Sequence, residues 1–325
     1  MSQRHARTTR HLVAALVCAA VATGGCTSPE SDGSSVEVLA TTTVWADVVS
    51  EVACGEVEVG SLVPAGTDTH SFEPSVRDAD LLRAAALVVA NGMGLEDGLT
   101  DALRTAASDG VPVVEVVDHV EALAAEAEEG DSDGRGTHDP DTHDHDGVDP
   151  HFWMDPDLVA AAAPALAGEL ADAGVGPGAD RLDRCASDYA DRLAELGAEV
   201  DAMFEEVPVG DRAVVTHHEN LGHFAERFGL EVVGSVVAST SSLAETGPRA
   251  LDELEATMRE RGVRAVLVDA GSRSATAERL AERVGATVVE LHVESLAADG
   301  EPSSYEELIR HDARLIADAL TGEGR

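Results

Sequence analysis

Short runs of β-branched and apolar residues recur along this chain, and most are followed by a longer stretch in which apolar positions return every three or four residues. The first four runs cover 36–42, 57–63, 86–91 and 111–116, with helical spacing over 44–52 and 75–85 between them. A second set covers 212–217, 230–237, 263–270 and 286–292, separated by helical stretches such as 248–261 and 275–284. Strand and helix in alternation are the signature of parallel α/β construction. The pattern therefore predicts an α/β protein of two lobes, each a four-stranded, mainly parallel sheet with flanking helices.

Between the two sets, after the Gly/Pro stretch "AGVGPG", residues 179–205 carry Leu182, Tyr189, Leu193, Leu196, Val200 and Phe204 on one helical stripe. That spacing predicts one helix of about 25 residues, nearly 40 Å long at 1.5 Å per residue. A single long helix joining two lobes restricts the hinge motion that flexible linkers permit, so the lobes should move little. The organisation that follows is an N-terminal lobe over 36–175, a linking helix within 176–205 and a C-terminal lobe over 206–325. One segment, 126–150, is too acidic and histidine-rich to be a buried element and reads as a loop of the first lobe.

The chain begins differently. Arg4, Arg7 and Arg10 precede an apolar run from Leu12 to Ala22, and small residues follow up to Cys26. A positive start, a short apolar stretch and small residues before a cleavage point make an export signal, here 1–25, and the run is too short to span a bilayer. Thr23-Gly24-Gly25-Cys26 resembles a lipobox, with Thr23 where leucine is usual, which makes Cys26 the expected lipidation site. Residues 26–35 are then a polar tether from lipid to folded domain. The expected location is outside the cell membrane, anchored to its outer face. In that oxidising setting Cys54 and Cys185 form an even pair, and a disulfide between them needs Cα atoms within about 7 Å.

Composition narrows the partners. The 325-residue chain has a formal charge of −40 and contains no lysine. Nucleic acid and anionic membrane surfaces require basic patches that displace counterions, so neither is an expected partner. The acidity by itself has a plain explanation in solubility or adaptation to salt, and it does not identify a metal binder.

Position relative to the strand ends is more informative. Open parallel sheets bind ligands beyond the carboxyl ends of their strands. His70 lies after the second apolar run, His151 after the fourth, His217 and His218 after the first run of the second lobe, and Asp269 at the end of the third. Each histidine alone has a dull reading as a surface or hydrogen-bonded residue. Two candidate positions from each lobe, placed at the same end of their sheets, point to a metal site in the interlobe cleft. Imidazoles with a carboxylate or water suit Zn²⁺ in a tetrahedral site. Consecutive residues of an extended strand face opposite ways, so His217 and His218 cannot both enter the cleft.

At these residues the chain resembles the metal-binding lipoprotein receptors of zinc and manganese ABC transporters, the cluster A-I family. "LVPAGTDTHSFEPSVRDADLLRAAALVVANGMGLE" is similar to that family's first signature. "DPHFWMDP" resembles its Asp-Pro-His-x-Trp-x-Asp-Pro motif, "HENLGHFAERFGLE" its His-Asp-Ala-Phe-Gly-Tyr-Phe segment, and "SYEELIRHDARLIADAL" its terminal helix. The resemblance covers nearly everything after residue 36. It implies two lobes joined by a long helix with metal between them, the ligands His70, His151 and His218, and His217 left outside. It also implies a binding role without catalysis: a monomeric receptor that captures Zn²⁺ and passes it to a membrane permease with its ATPase.

The fourth ligand is where the chain departs from the family. Members with an additional carboxylate carry it shortly after the "VLVDAG" strand, and here Gly271, Ser272, Arg273 and Ser274 stand there. The fourth position is open to Asp269, another acid such as Glu73, or water. Three histidines with few carboxylates favour zinc over manganese, a harder ion that prefers oxygen. His138, His143 and His145 in the acidic loop could recruit metal and hand it inward, or belong to a solvated insertion without a role in affinity. Other readings within reach are a manganese-type receptor, a zinc buffer and a surface adhesin on the same scaffold. "HHENLGH" is not the His-Glu-x-x-His helix of zinc proteases, because Gly222 stands where the second histidine would be.

Overall fold

The computed structural model describes residues 36–120, 149–239, 246–272 and 274–322. The expected signal segment, Cys26, the tether and His138, His143 and His145 lie outside the described residues. Strands β1 (Val38–Ala40), β2 (Val59–Ser61), β3 (Leu87–Ala90) and β4 (Val113–Glu115) form one sheet in the order β2-β1-β3-β4. Strands β5 (Ala213–Thr216), β6 (Glu231–Ser235), β7 (Ala265–Asp269) and β8 (Thr287–Leu291) form a second in the order β6-β5-β7-β8. Every pairing is parallel. The order reverses direction between β1 and β3 and between β5 and β7, and those reversals open a crevice at the carboxyl edge of each sheet.

The strands are shorter than the apolar runs that contain them. Thr42 ends the first run by accepting a hydrogen bond from Trp45 N, which starts α1 (Thr43–Val52). Ser75 and Asp78 form a reciprocal capping box at the start of α2 (Val76–Ala84). The first lobe also contains α3 (Thr100–Ser108).

Alternation along the strands assigns each residue to a layer. Val38, Ala40, Leu87 and Val89 face a large central core, while Leu39, Val88 and Ala90 face a smaller cluster with Leu62, Leu82 and Leu99. The second sheet repeats this. Val214, Ala265, Leu267 and Leu291 face the central core, and Val215, Val266 and Val268 face their own cluster with Met258 and Leu280. The central core is thus one body of apolar side chains touched by both sheets. It is completed by α4 (Pro156–Asp172), α5 (Ala179–Glu205) and α9 (Tyr305–Thr321), which contribute residues such as Leu166, Leu193, Phe204 and Ile316. Helix α5 is the predicted connector, 27 residues long, and buries Leu182, Tyr189, Leu193, Leu196, Val200 and Phe204 along one stripe. The remaining helices of the second lobe are α6 (Gly222–Phe228), α7 (Pro248–Arg261) and α8 (Ala275–Val284).

Cys54, just past the end of α1, is joined to Cys185 on α5 with Cα atoms 5.6 Å apart. Further bonds lace the lobes together. Tyr305 at the start of α9 donates its backbone N–H to Asp47 on α1 (2.7 Å) and its hydroxyl to the carbonyl of Trp153 (2.6 Å).

Candidate metal centre

"DPHFWMDP" is built as a frame around His151. Asp149 Oδ1 accepts from the His151 backbone N–H (3.0 Å) and from His151 Nδ1 (2.7 Å). The Pro150 carbonyl accepts from Asn91 Nδ2 (3.0 Å), whose Oδ1 accepts from the Trp45 indole (3.0 Å). Phe152, Trp153 and Met154 form a buried 3-10 turn, and Asp155 then caps α4, with Pro156 at its first turn. Because Asp149 takes the proton on Nδ1, the lone pair of His151 is on Nε2, which points into the cleft. Asn91 is held in turn by Glu96. That carboxylate accepts from the backbone of Asn91 (2.7 Å) and Gly92 (3.1 Å) and from the Thr41 hydroxyl (2.7 Å). Burial pushes Glu96 up to about 7 despite these bonds.

His70 follows β2 in a turn where its backbone N–H donates to Asp68 Oδ1 (2.9 Å). His218 follows β5 and is fully buried, while the side chain of His217 keeps 15 % of its surface. The three imidazoles of His70, His151 and His218 surround one point, with ring centroids 5.4 to 5.7 Å apart and steep interplanar angles of 64°, 67° and 87°.

The carboxylate that completes this group is Glu294, and Asp269 stands behind it. Glu294 follows β8, and one ligating atom from each of His70, His151, His218 and Glu294 lies within 4.8 Å of the others. His70 Nε2 is 3.3 Å from His151 Nε2, and Glu294 Oε1 is 3.3 Å from His218 Nε2 and 3.9 Å from His70 Nε2. A tetrahedral ion with ligands at about 2.0 to 2.1 Å keeps its donors about 3.3 Å apart, so the cradle has the right size. Asp269 Oδ2 lies 3.2 Å from His218 Nδ1, on the far side of that ring, and is placed to orient it. Glu73, the other acidic alternative, is exposed.

The electrostatics describe a cradle prepared for a cation. Neither nitrogen of His218 makes an aligned hydrogen bond, although both face carboxylates. A buried polar atom without a partner costs about 1 to 3 kcal/mol, a cost that a bound cation would remove at Nε2. Burial opposes charge on His218, but Asp269 and Glu294 outweigh it and raise the imidazole to about 10. Burial, helped by the neighbouring imidazoles, holds His70 below its ordinary value. Against the upward push of burial, His217 and His218 hold Asp269 well below the usual carboxylate range.

Glu294, Asp149, Asn91 and Thr69 were not singled out by the sequence reading. Glu294 had a usable signal, since "VES" follows the last strand of the second lobe as His218 follows its first. Asn91 and Thr69 act through ordinary polar and backbone groups, which leave no mark of that kind.

Fold and site together define a class: a two-lobed binding protein whose interlobe cleft ends in a buried cradle of three imidazoles and a carboxylate able to hold one metal ion. Residues 38–319 match the model of the family described as zinc-uptake complex component A, periplasmic, and the chain belongs to that family. The manganese-binding lipoprotein MntA of Bacillus subtilis (strain 168) is 26% identical over 322 residues, covering 95% of this chain and 98% of the relative. Among solved structures, the periplasmic zinc binding protein TroA from Treponema pallidum superposes with a TM-score of 0.72 at 23% identity, covering 87% of this chain and 98% of that one. The laminin-binding adhesin Lmb from Streptococcus agalactiae superposes with a TM-score of 0.70 at 24% identity, covering 88% and 99%. Both structural likenesses establish the fold, two parallel four-stranded sheets and the long α5.

Proposed function

We propose that this chain is the extracytoplasmic receptor of a metal ABC importer, that zinc is its cargo, and that it acts by capture and handover to a membrane permease and its ATPase. The observation that carries the reading is the convergence of His70, His151, His218 and Glu294 Oε1 from four loops and both lobes on one buried point. Three neutral nitrogens and one oxygen at tetrahedral spacing suit zinc better than an ion that demands more oxygen ligands. The relative named as a lipoprotein supports a lipid anchor at Cys26 after removal of 1–25, with 26–35 as tether.

Manganese is the second reading, favoured by the name of the Bacillus relative and by the carboxylate in the donor set. Affinity alone does not separate the two, because nearly any nitrogen-containing site prefers zinc to manganese. Elemental analysis of the protein purified without chelators from its own host does: about one equivalent of zinc is expected for a single four-ligand site. One equivalent of manganese without zinc would overturn the assignment.

A further inference from the structure

We propose that His217 and Asp269 form an outer station through which the ion passes on its way into and out of the four-donor centre, an inference that rests on the metal-receptor reading. The two residues sit at the carboxyl ends of adjacent strands, β5 and β7, where Thr216 is in register with Leu267. His217 Nδ1 is buried without an aligned hydrogen bond, 3.5 Å from Asp269 Oδ2. The other oxygen of Asp269 is engaged by Asn220 Nδ2 at 2.7 Å, so Oδ2 is the one that faces both His217 and His218. One imidazole nitrogen and one carboxylate oxygen can replace two waters of an incoming divalent ion, too few ligands to retain it.

The station has a passage beside it. A cavity of about 190 Å³ is lined by His217, Asp269, Asp68 and His292, and Glu294 is also on its wall. That volume is ample for an ion carrying several waters. Of the four converging donors, Glu294 is the one on this wall, so the same cavity that reaches His217 and Asp269 also reaches a ligand of the centre. The acidic lining favours a cation throughout.

The shared neighbour makes the station transient. A ring that binds metal through Nε2 keeps its proton on Nδ1, and in His218 that proton faces Asp269 Oδ2 at 3.2 Å. Once the centre is loaded, the charge of its ion repels a second cation at the outer pair, so the protein holds one ion. A waypoint lowers the barrier in both directions and leaves the end states unchanged, so uptake and release should respond together.

Rapid mixing of apo protein with Co²⁺, followed by its ligand-field absorption, tests this, together with release from loaded protein into excess EDTA. In the wild type the uptake rate should level off as Co²⁺ increases, because loading proceeds from a filled outer station. In His217→Ala uptake should stay linear in Co²⁺, and uptake and release should both slow by about tenfold, the loss of one modest ligand contact. Equilibrium affinity should stay within about threefold of wild type, since only the path has changed. His217→Gln preserves side-chain bulk and should behave like the alanine variant. Unchanged rates in both variants, or loss of equilibrium affinity in either, overturn the station. Tight Co²⁺ binding by His151→Ala would instead overturn the receptor reading itself.

Discussion

The backbone N–H of Thr69 donates across the cleft to Glu294 Oε2 (3.1 Å), which leaves Oε1 facing His218 and His70. A donor atom supplied by the second lobe is therefore aimed by the first. Neighbouring bonds work in the same direction: the Trp153 indole donates to the Val293 carbonyl (2.9 Å), and Gly66 N donates to Ser295 Oγ (2.9 Å). Glu294→Gln keeps an oxygen for Thr69 but removes the charge. Zinc affinity, measured by calorimetric titration with a competing chelator, should fall by more than the 10- to 100-fold typical of losing an outer partner, to roughly a thousandth of wild type. The fold of the apo protein should survive.

Asp149 acts one step further out. It fixes the tautomer of His151 and touches the second lobe, where Gly222 leaves room for its carboxylate; a Cβ there would come within 2.6 Å of Asp149 Oδ2. His223 Nε2 also donates to the Asp149 carbonyl (3.1 Å). For Asp149→Ala the expected loss of zinc affinity is about 10- to 100-fold, with secondary structure intact by circular dichroism. An affinity equal to wild type would show that the orientation of His151 is set elsewhere.

The raised pKa of His218 makes binding a proton exchange. Its folded value of about 10 lies above the unfolded value of about 6.5. The stability this proton lends the apo protein is therefore fully present below about pH 6.5 and is lost as pH rises through about 10. A metal ion ligated by this ring would take the proton's place, so loading with zinc at pH 8 should release about one proton per ion. Calorimetry in buffers of different ionisation enthalpy reads that number directly. Asp269→Asn removes one of the carboxylates that hold the proton and should bring the release at pH 8 well below the wild-type value.

The disulfide separates stability from binding. Helix α1 starts beside the carboxyl end of β1 and runs back to Cys54, so the Cys54–Cys185 bridge lies at the end of the lobe away from the cleft. It closes a loop of 131 residues. Reduction, or Cys54→Ser with Cys185→Ser, should lower unfolding free energy by about 2 to 5 kcal/mol. Zinc affinity at 20 °C should be unchanged, and denaturant melts of both forms alongside titrations would check the two halves of this expectation.

The two sheets, the long connector and the grouping of His70, His151 and His218 were legible because each rests on a periodic pattern or on a strand end. Glu294, the carboxylate grouped with those three imidazoles, was not picked out, although it obeys the same rule. Acids are common throughout this chain, and Glu294 lies three residues past β8, behind His292, whereas Asp269 is the last residue of its strand. Proximity to the strand end favoured Asp269, whereas Glu294 reaches the three imidazoles because the 292–296 segment is tied to the first lobe. That tie is made by Trp153, Gly66 and Thr43, contacts between residues more than a hundred positions apart. No local pattern encodes them.

Because both sheets rest on one apolar core with α5 running through it, opening the halves widely would expose side chains such as Leu193, Leu196 and Phe204 to water, at about 1.5 to 3 kcal/mol each. The shared core therefore opposes any wide opening of the halves. A partner able to tell an empty protein from a loaded one would have only fine print to read: the rim of loops carrying His70, His151, His218 and Glu294, where one ion decides whether the charges beneath are balanced.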